Sequence, residues 1–238
     1  MEPTPQTLLA LQRAHLFSVP FENLDIPFGR ALRLDEAGLM DKIIARRRGG
    51  FCYELNGLFS RLLRGLGYLV VLLNARGLND DGSLGIDFDH LALMVTCPES
   101  PVPRWLVDVG WGNGPLEPLR LEAGPEQGQG GRVFRIADQG GRLVLSEKAV
   151  DGRWIPHYAF TLQPRDYSDF TSGCLYHTTS PQSIFTQKRI CSRFTPQGML
   201  TLSENRLIIT TNGQREERIL DGEDDFNRML KEYFNIVL

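Results

Sequence analysis

The chain has 238 residues, 42% of them hydrophobic, with 29 acidic and 26 basic side chains and a formal net charge of −3. That length can bury a sizeable core without covalent staples, and the weakly acidic balance argues against nucleic acid or an anionic membrane surface as a partner. The N-terminal Met1-Glu2-Pro3-Thr4-Pro5 lacks the basic start and apolar stretch of a signal peptide, and the longest apolar run, residues 68–73, is too short to span a bilayer. Cys52, Cys97, Cys174 and Cys191 have no CxxC spacing, and His15, His90, His157 and His177 are scattered. A reduced, cytoplasmic protein without a metal site is expected.

Residues 6–67 read as helical. Leu8, Leu9, Leu11, Leu16 and Phe17 recur with roughly helical period until Pro20 stops the first segment. Asp35 can cap a second helix through Leu39, Ile43 and Ile44, which Gly49-Gly50 break. A third begins near Cys52, carries Leu55, Leu58, Phe59, Leu62 and Leu63, and stops at Gly65 and Gly67.

From residue 68 to about 162 the texture changes to short β-prone runs: 68–75, 90–96, 105–109, 133–137, 143–146 and 154–160. Turn residues separate them, including Asp80-Asp81-Gly82, Pro98-Glu99-Ser100-Pro101 and Gly140-Gly141. Consecutive antiparallel strands of this kind predict a small barrel or sandwich. The Gly- and Gln-rich stretch 122–132 predicts a flexible loop. Strands at 198–203 and 206–211 and a last helix over 223–233, entered through Asp221 or Gly222, complete an α+β chain.

The chemistry concentrates in Arg48-Gly49-Gly50-Phe51-Cys52-Tyr53-Glu54. A cysteine at a helix start meets unpaired backbone N–H groups, which favour a thiolate and can hold an oxyanion. A free thiol titrates near about 8.5, so a nucleophile also needs a base. A buried core thiol is the competing reading. His90 opens an apolar strand, and Asp108 sits in the next apolar run, where an ionised carboxylate needs a partner. A hairpin over residues 98–103 sets His90 near Gly110, with Asp108 as its diagonal neighbour on the same face. Such a pair would fix the imidazole tautomer; a surface histidine and a turn-capping aspartate are the alternatives.

These segments resemble the arylamine N-acetyltransferase family. Arg48 through Glu54 is similar to its RGGxCxE nucleophile motif, and Pro20-Phe21-Glu22-Asn23-Leu24 to its PFENL segment. His90 with its strand and Asp108-Val109-Gly110-Trp111-Gly112 resemble the blocks that supply the histidine and the aspartate, the latter usually DVGFG. The stretch His177-Thr178-Thr179-Ser180-Pro181-Gln182-Ser183 with Phe185 resembles the opening of the C-terminal domain. The resemblance implies a papain-like Cys52–His90–Asp108 triad and three parts: a helical bundle (1–67), an antiparallel β-barrel (68–163) and an α/β lid (164–238). It also implies ping-pong transfer of acetyl from acetyl-CoA, as cosubstrate and with no bound cofactor, to arylamines or arylhydrazines. Two departures stand out: a shortened stretch before the first helix, and Trp111 where phenylalanine is usual.

Other candidates carry less. Phe21 and Trp111 are assigned to the aromatic-amine site, with core packing as the alternative. Gly110, Gly112 and Gly114 permit close backbone approach, to the CoA pyrophosphate or simply within a tight turn. Arg46-Arg47-Arg48 reads as a solvated face or a phosphate attractor, with Arg48 paired to Glu22 or Glu54. His15, His157 and His177 lack an identifiable acidic partner and are assigned structural roles. A cysteine hydrolase, an amide synthase fed by a carrier protein, and a non-enzymatic binding protein remain as rival functions.

Overall fold

A computed structural model describes residues 1–79, 81–98, 100 and 104–238. Asp80 of one expected turn, and Glu99, Pro101, Val102 and Pro103 of the expected hairpin connection, lie outside the described residues. The chain divides into two compact units. The first holds Met1–Arg13, Phe59–Val109 and Asn113–Cys174; the second holds Ala14–Leu58, Gly110–Gly112 and Leu175–Leu238.

The N-terminal elements are α1 (Pro5–Ser18), the short β1 (Phe21–Glu22), α2 (Glu36–Leu39) and α3 (Cys52–Gly65). Asp35 caps α2 as expected, its carboxylate accepting from Gly38 N at 2.9 Å. That helix does not stop at Leu39 but widens into a π-helical turn over Met40–Ala45. Beyond Gly65, the Gly67 backbone at φ +94° ends α3 in the left-handed region that a glycine adopts without strain.

The first unit is built on eight antiparallel strands: β2 (Leu69–Gly77), β3 (His90–Thr96), β4 (Trp105–Val107), β5 (Leu119–Arg120), β6 (Glu126–Gln129), β7 (Arg132–Asp138), β8 (Leu143–Lys148) and β9 (Trp154–Arg165). Their order, β5-β4-β3-β2-β9-β8-β7-β6, curls into a nearly closed barrel. Glutamine side chains sew its ends together. Gln127 of β6 accepts from Arg120 N and donates to Arg120 O, and Gln129 makes the same pair of bonds with Glu117. These amides replace the backbone ladder that would otherwise close the circle. Leu73, Leu91, Leu93, Val107, Phe134, Ile136, Leu145 and Tyr158 are fully buried in this unit.

Residues 122–132 are therefore not the flexible loop that composition predicts. Gln129 pairs with Arg132 across Gly130-Gly131, whose φ values of +57° and +80° fit a two-residue hairpin turn. Glu126, Gln127, Gly128 and Gln129 carry no apolar residue, so no alternation betrays the strand.

In the second unit, β1 leads a five-stranded antiparallel sheet with β10 (Ile190–Thr195), β11 (Gly198–Ser203), β12 (Arg206–Thr211) and β13 (Gln214–Ile219). Two further helices, α4 (Thr171–Thr179) and α5 (Ile184–Gln187), precede it in the chain. The last helix, α6 (Gly222–Met229), continues through a wider turn over Leu230–Phe234. Phe226, Met229, Leu230 and Phe234 of this segment pack with Leu202, Leu207 and Leu24 in one core. Strand β13 is exposed throughout and mostly charged, which guards a free sheet edge against a second chain.

On the barrel, Glu147 is held down to about 2: burial works to raise it, but hydrogen bonds and charge from Arg132 and His157 outweigh that. A depressed carboxylate contributes stability above its ordinary value near 4.5, and this is lost as pH falls through the folded value. Wild type should therefore lose melting temperature between about pH 4.5 and 2 more steeply than Glu147→Gln. Parallel melting curves against pH for the two proteins would contradict this.

Candidate active site

Cys52 is the first residue of α3 in the second unit and is buried. Phe51 O accepts the Leu55 amide at 2.9 Å, which makes Phe51 the N-cap. Gly49-Gly50 are glycines for steric reasons. A Cβ on Gly49 would collide with the Pro20 carbonyl, and one on Gly50 would lie 2.7 Å from Glu54 Oε2. The first contact arises because the chain entering β1 runs against this turn, with Glu22 N donating to Gly50 O at 2.8 Å; the second comes from α3 itself.

Behind the turn lies a cluster of buried charge. Arg48 reaches Glu22 at 2.8 Å and Asp25 at 3.3 Å, and Lys42 reaches Asp25 at 2.8 Å and Glu54 at 2.9 Å. The sequence left Arg48 between Glu22 and Glu54; its partner is Glu22, and Lys42 takes Glu54. Glu54 Oε2 also accepts from Phe51 N at 3.2 Å, tying the cluster to the N-cap itself. Burial pushes the Glu54 carboxyl up to about 7, against the pull of Lys42. For Asp25 burial is outweighed by Lys42 and Arg48, and its carboxyl is lowered. Lys42 is raised, since its three carboxylate neighbours overcome its own desolvation. The two directions on the Lys42–Glu54 bond differ because Glu54 also faces Glu22 and is the more deeply buried partner.

His90 and Asp108 meet in the first unit. Leu93 pairs with Val107 between β3 and β4, so the next step sets Asp108 opposite Ala92 and His90 diagonal to it. His90 Nε2 lies 2.7 Å from Asp108 Oδ2, both side chains buried. Tyr158 of β9 donates its hydroxyl to the same oxygen at 3.0 Å, and its ring lies 5.1 Å from the imidazole. Burial and the charge of Asp108 push the Tyr158 hydroxyl well above its ordinary range, keeping it a donor.

Asp108 is followed by Gly110–Gly112, which belongs to the second unit. A Cβ on Gly110 would lie 2.6 Å from Cys52 Cα and 2.7 Å from Asn56 Nδ2, so the backbone rests directly on the start of α3. One on Gly112 would lie 3.3 Å from the Phe21 ring. Phe21 in turn neighbours Phe185, which stands edge-on to Phe51. Trp111 between the glycines is half-buried, as are Phe21 and Gly112.

Sequence reasoning missed Asp25, Lys42 and Tyr158. Lys42 had a signal: it lies on the same buried helical face as Leu39 and Ile43, where a lysine must have an acidic partner. The three other histidines also sort themselves. His15 is pushed down to about 4 by burial, and His177 bonds Ser183 Oγ at 3.0 Å. The expectation that His157 lacks an acidic partner is corrected: it faces Glu147 at 3.3 Å, delivered by the neighbouring strand. Arg46 pairs with Asp41 on the exposed side while Arg48 is buried, so the arginine run is not one solvated face. Among the described residues no group of His, Cys, Asp and Glu is arranged to hold a metal ion, and no helix is long and apolar enough to cross a membrane.

A cysteine at a helix start and, in the other unit, a buried His–Asp pair are residue types that nucleophilic acyl transfer uses. Residues 4–238 match the family model described as N-acetyltransferase. The chain is 34% identical to the pineal gland arylamine N-acetyltransferase isozyme NAT-3 of Gallus gallus, over all of this chain and 89% of that one. It is 33% identical to the proansamycin X synthase of Amycolatopsis mediterranei, over 94% and 88%. The solved Mycobacterium marinum arylamine N-acetyltransferase in complex with CoA superposes with a TM-score of 0.92 at 34% identity, over 99% and 88%. The chain belongs to the arylamine N-acetyltransferase family of acyltransferases.

Two substitutions follow from this geometry. Lys42→Met leaves Glu54 and Asp25 buried without their shared cation and should cost about 3–5 kcal/mol of folding stability. A shift of less than about 1 kcal/mol in urea denaturation would mean that water already screens the cluster. Tyr158→Phe removes a donor to Asp108 and should slow acetyl transfer about tenfold, roughly 1.4 kcal/mol, without unfolding the barrel. Unchanged turnover would show that Asp108 is kept in place without the Tyr158 hydroxyl.

Proposed function

We propose that the chain transfers acetyl groups from acetyl-CoA to the nitrogen of arylamines or arylhydrazines through an acetyl-Cys52 intermediate, acting in the cytoplasm. The observation that carries this reading is the buried 2.7 Å bond between His90 Nε2 and Asp108 Oδ2, in a chain whose Cys52 opens α3 within the family's nucleophile motif. With Nε2 committed to Asp108, Nδ1 is the nitrogen that accepts the Cys52 proton. The thiolate attacks the acetyl carbonyl, a bond forms to Cys52 Sγ, and the bond to the CoA sulfur breaks. The proton held by His90 leaves with the CoA thiol.

In the second half the amine nitrogen attacks acetyl-Cys52, His90 takes its proton, and the Cys52 sulfur departs. Exchange of one thioester for another is nearly balanced, so the protein's task is to align the groups and keep water out. Phe21, Trp111 and Phe185 supply apolar surface for an aromatic acceptor, and Gly110 and Gly112 are assigned to close backbone approach by CoA. The division into bundle (1–67), barrel (68–163) and lid (164–238) is retained as part of this reading.

A second reading is favoured by one comparison: the relative named proansamycin X synthase invites an amide synthase with a different acyl donor. The M. marinum enzyme's complex with CoA favours the first. Acetyl-CoA alone should add one acetyl group to Cys52 and release one equivalent of CoA, seen by intact-protein mass with Cys52→Ala as the blank. Adding an arylamine should then discharge the intermediate much faster than buffer does. No acetyl-enzyme would support the amide synthase, and discharge by buffer as fast as by amine would support a hydrolase.

A further inference from the structure

Gly110–Gly112 is followed by Asn113-Gly114-Pro115-Leu116-Glu117, a segment with no strand to receive its carbonyl groups. Side chains receive them instead. Arg132 Nη2 donates to Asn113 O at 2.8 Å and Nη1 to Gly114 O at 2.9 Å. Gln12 Nε2 donates to Pro115 O at 3.0 Å, and Gln129 Nε2 to Glu117 O at 3.1 Å. A single guanidinium thus fixes the carbonyl groups of the two residues that follow Gly112.

Arg132 is itself held in place. It opens β7 directly after the Gly130-Gly131 turn, and Nε and Nη2 bond both oxygens of Glu147 at 2.7 and 2.6 Å. Phe134 supports it from below, with the guanidinium carbon 4.8 Å from the ring centre. His157 Nε2 faces Glu147 Oε2 at 3.3 Å. All three guanidinium nitrogens are engaged, in a planar fork that a lysine ammonium cannot reproduce.

The geometry points to Arg132 as a positioning residue for the acceptor site: from Glu147 it fixes Asn113 and Gly114, and through the covalent chain it restrains Gly112 and Trp111 that precede them. It touches no reacting atom. This inference rests on the proposed role of Trp111 and Phe21 in holding the arylamine. A barrel strand, through one arginine, then governs how tightly the acceptor is held, while the cysteine, histidine and aspartate stay as they are.

The test separates anchoring from fold stability. In Arg132→Met, hydrogen exchange of the peptide covering residues 110–118 should quicken while that covering β3 stays protected. Discharge of preformed acetyl-enzyme by an arylamine should show a half-saturating amine concentration raised about fivefold or more, with the limiting rate within about twofold of wild type. Arg132→Lys keeps the charge beside Glu147 and should recover most of the melting temperature. It should recover little of the amine affinity, because one ammonium cannot serve both carbonyl groups. Amine saturation unchanged in Arg132→Met, or restored in step with melting temperature in Arg132→Lys, would overturn the assignment and leave Arg132 a purely structural residue. Wild type that forms no acetyl-enzyme would overturn the parent reading and this one together. That outcome differs visibly from failure of the Arg132 role alone, in which wild-type acylation is intact.

Discussion

The buried charges behind Cys52 constrain everything near it. Lys42 and Arg48 stand among Glu22, Asp25 and Glu54, two cations to three carboxylates, with Arg30 reaching Asp25 from the rim at 3.4 Å. Apolar side chains of the same volume would hold the fold at least as well, since desolvating an ion pair consumes much of its attraction. What apolar packing cannot do is impose direction. Each of these groups bonds a particular atom: Glu22 accepts from Leu24 N, Glu54 from Phe51 N, and Arg48 spans Glu22 and Asp25. The PFENL segment, the wide turn at Met40–Ala45 and the start of α3 are thereby fixed against one another inside the second unit. The widening of that turn has a consequence of its own. An irregular helical turn at a functional site re-aims side chains that a regular helix would spread over successive faces, and Lys42 lies within it. Burial, with Glu22 nearby, pushes the Glu54 carboxyl up to about 7 against the pull of Lys42, so the cluster carries one ionisable group near neutrality.

Much of this was legible in the sequence, for reasons specific to each part. Cys52 could be placed at a helix start because Gly49-Gly50 ends one periodic segment and Leu55, Leu58 and Phe59 begin another. The His90–Asp108 pairing followed from counting: two apolar runs about a short connection admit few registers, and the observed pairing of Leu93 with Val107 is the expected one. Strands β2, β3, β7, β8 and β9 announced themselves through β-branched and aromatic residues. Strands β6 and β13 did not. Both are polar and pair with the strand beside them in the chain, so no apolar alternation marks a buried face. Yet each is entered or left through a two-residue turn, Gly130-Gly131 and Asn212-Gly213, whose chemistry was the available signal.

The long-range charge partners were illegible for a different reason. Lys42 and Glu54 are twelve residues apart on different helices, Arg132 and Glu147 on neighbouring strands, and Tyr158 lies fifty residues from Asp108. Periodicity reports which face of an element is buried; it says nothing about which polar group meets which. A lone lysine, tyrosine or glutamate on an apolar face signals that a partner must exist. Naming the partner requires the fold.

Asp108 and Gly110 show how closely these requirements are packed along the chain. Asp108 must be long enough to reach His90 Nε2 and Tyr158 from the end of β4. Two residues later Gly110 must have no side chain at all, because its backbone rests on Cys52 and Asn56. Between them Val109 is buried, and beyond them Gly112 meets the ring of Phe21. Carboxylate, buried apolar residue, bare backbone, aromatic and bare backbone follow within five positions. An insertion there has little room, because β4 holds one end of the segment and the side-chain bonds to Asn113 and Gly114 hold the other. Such a segment can change the chemistry of its one half-buried aromatic side chain, at Trp111, far more readily than it can change its length.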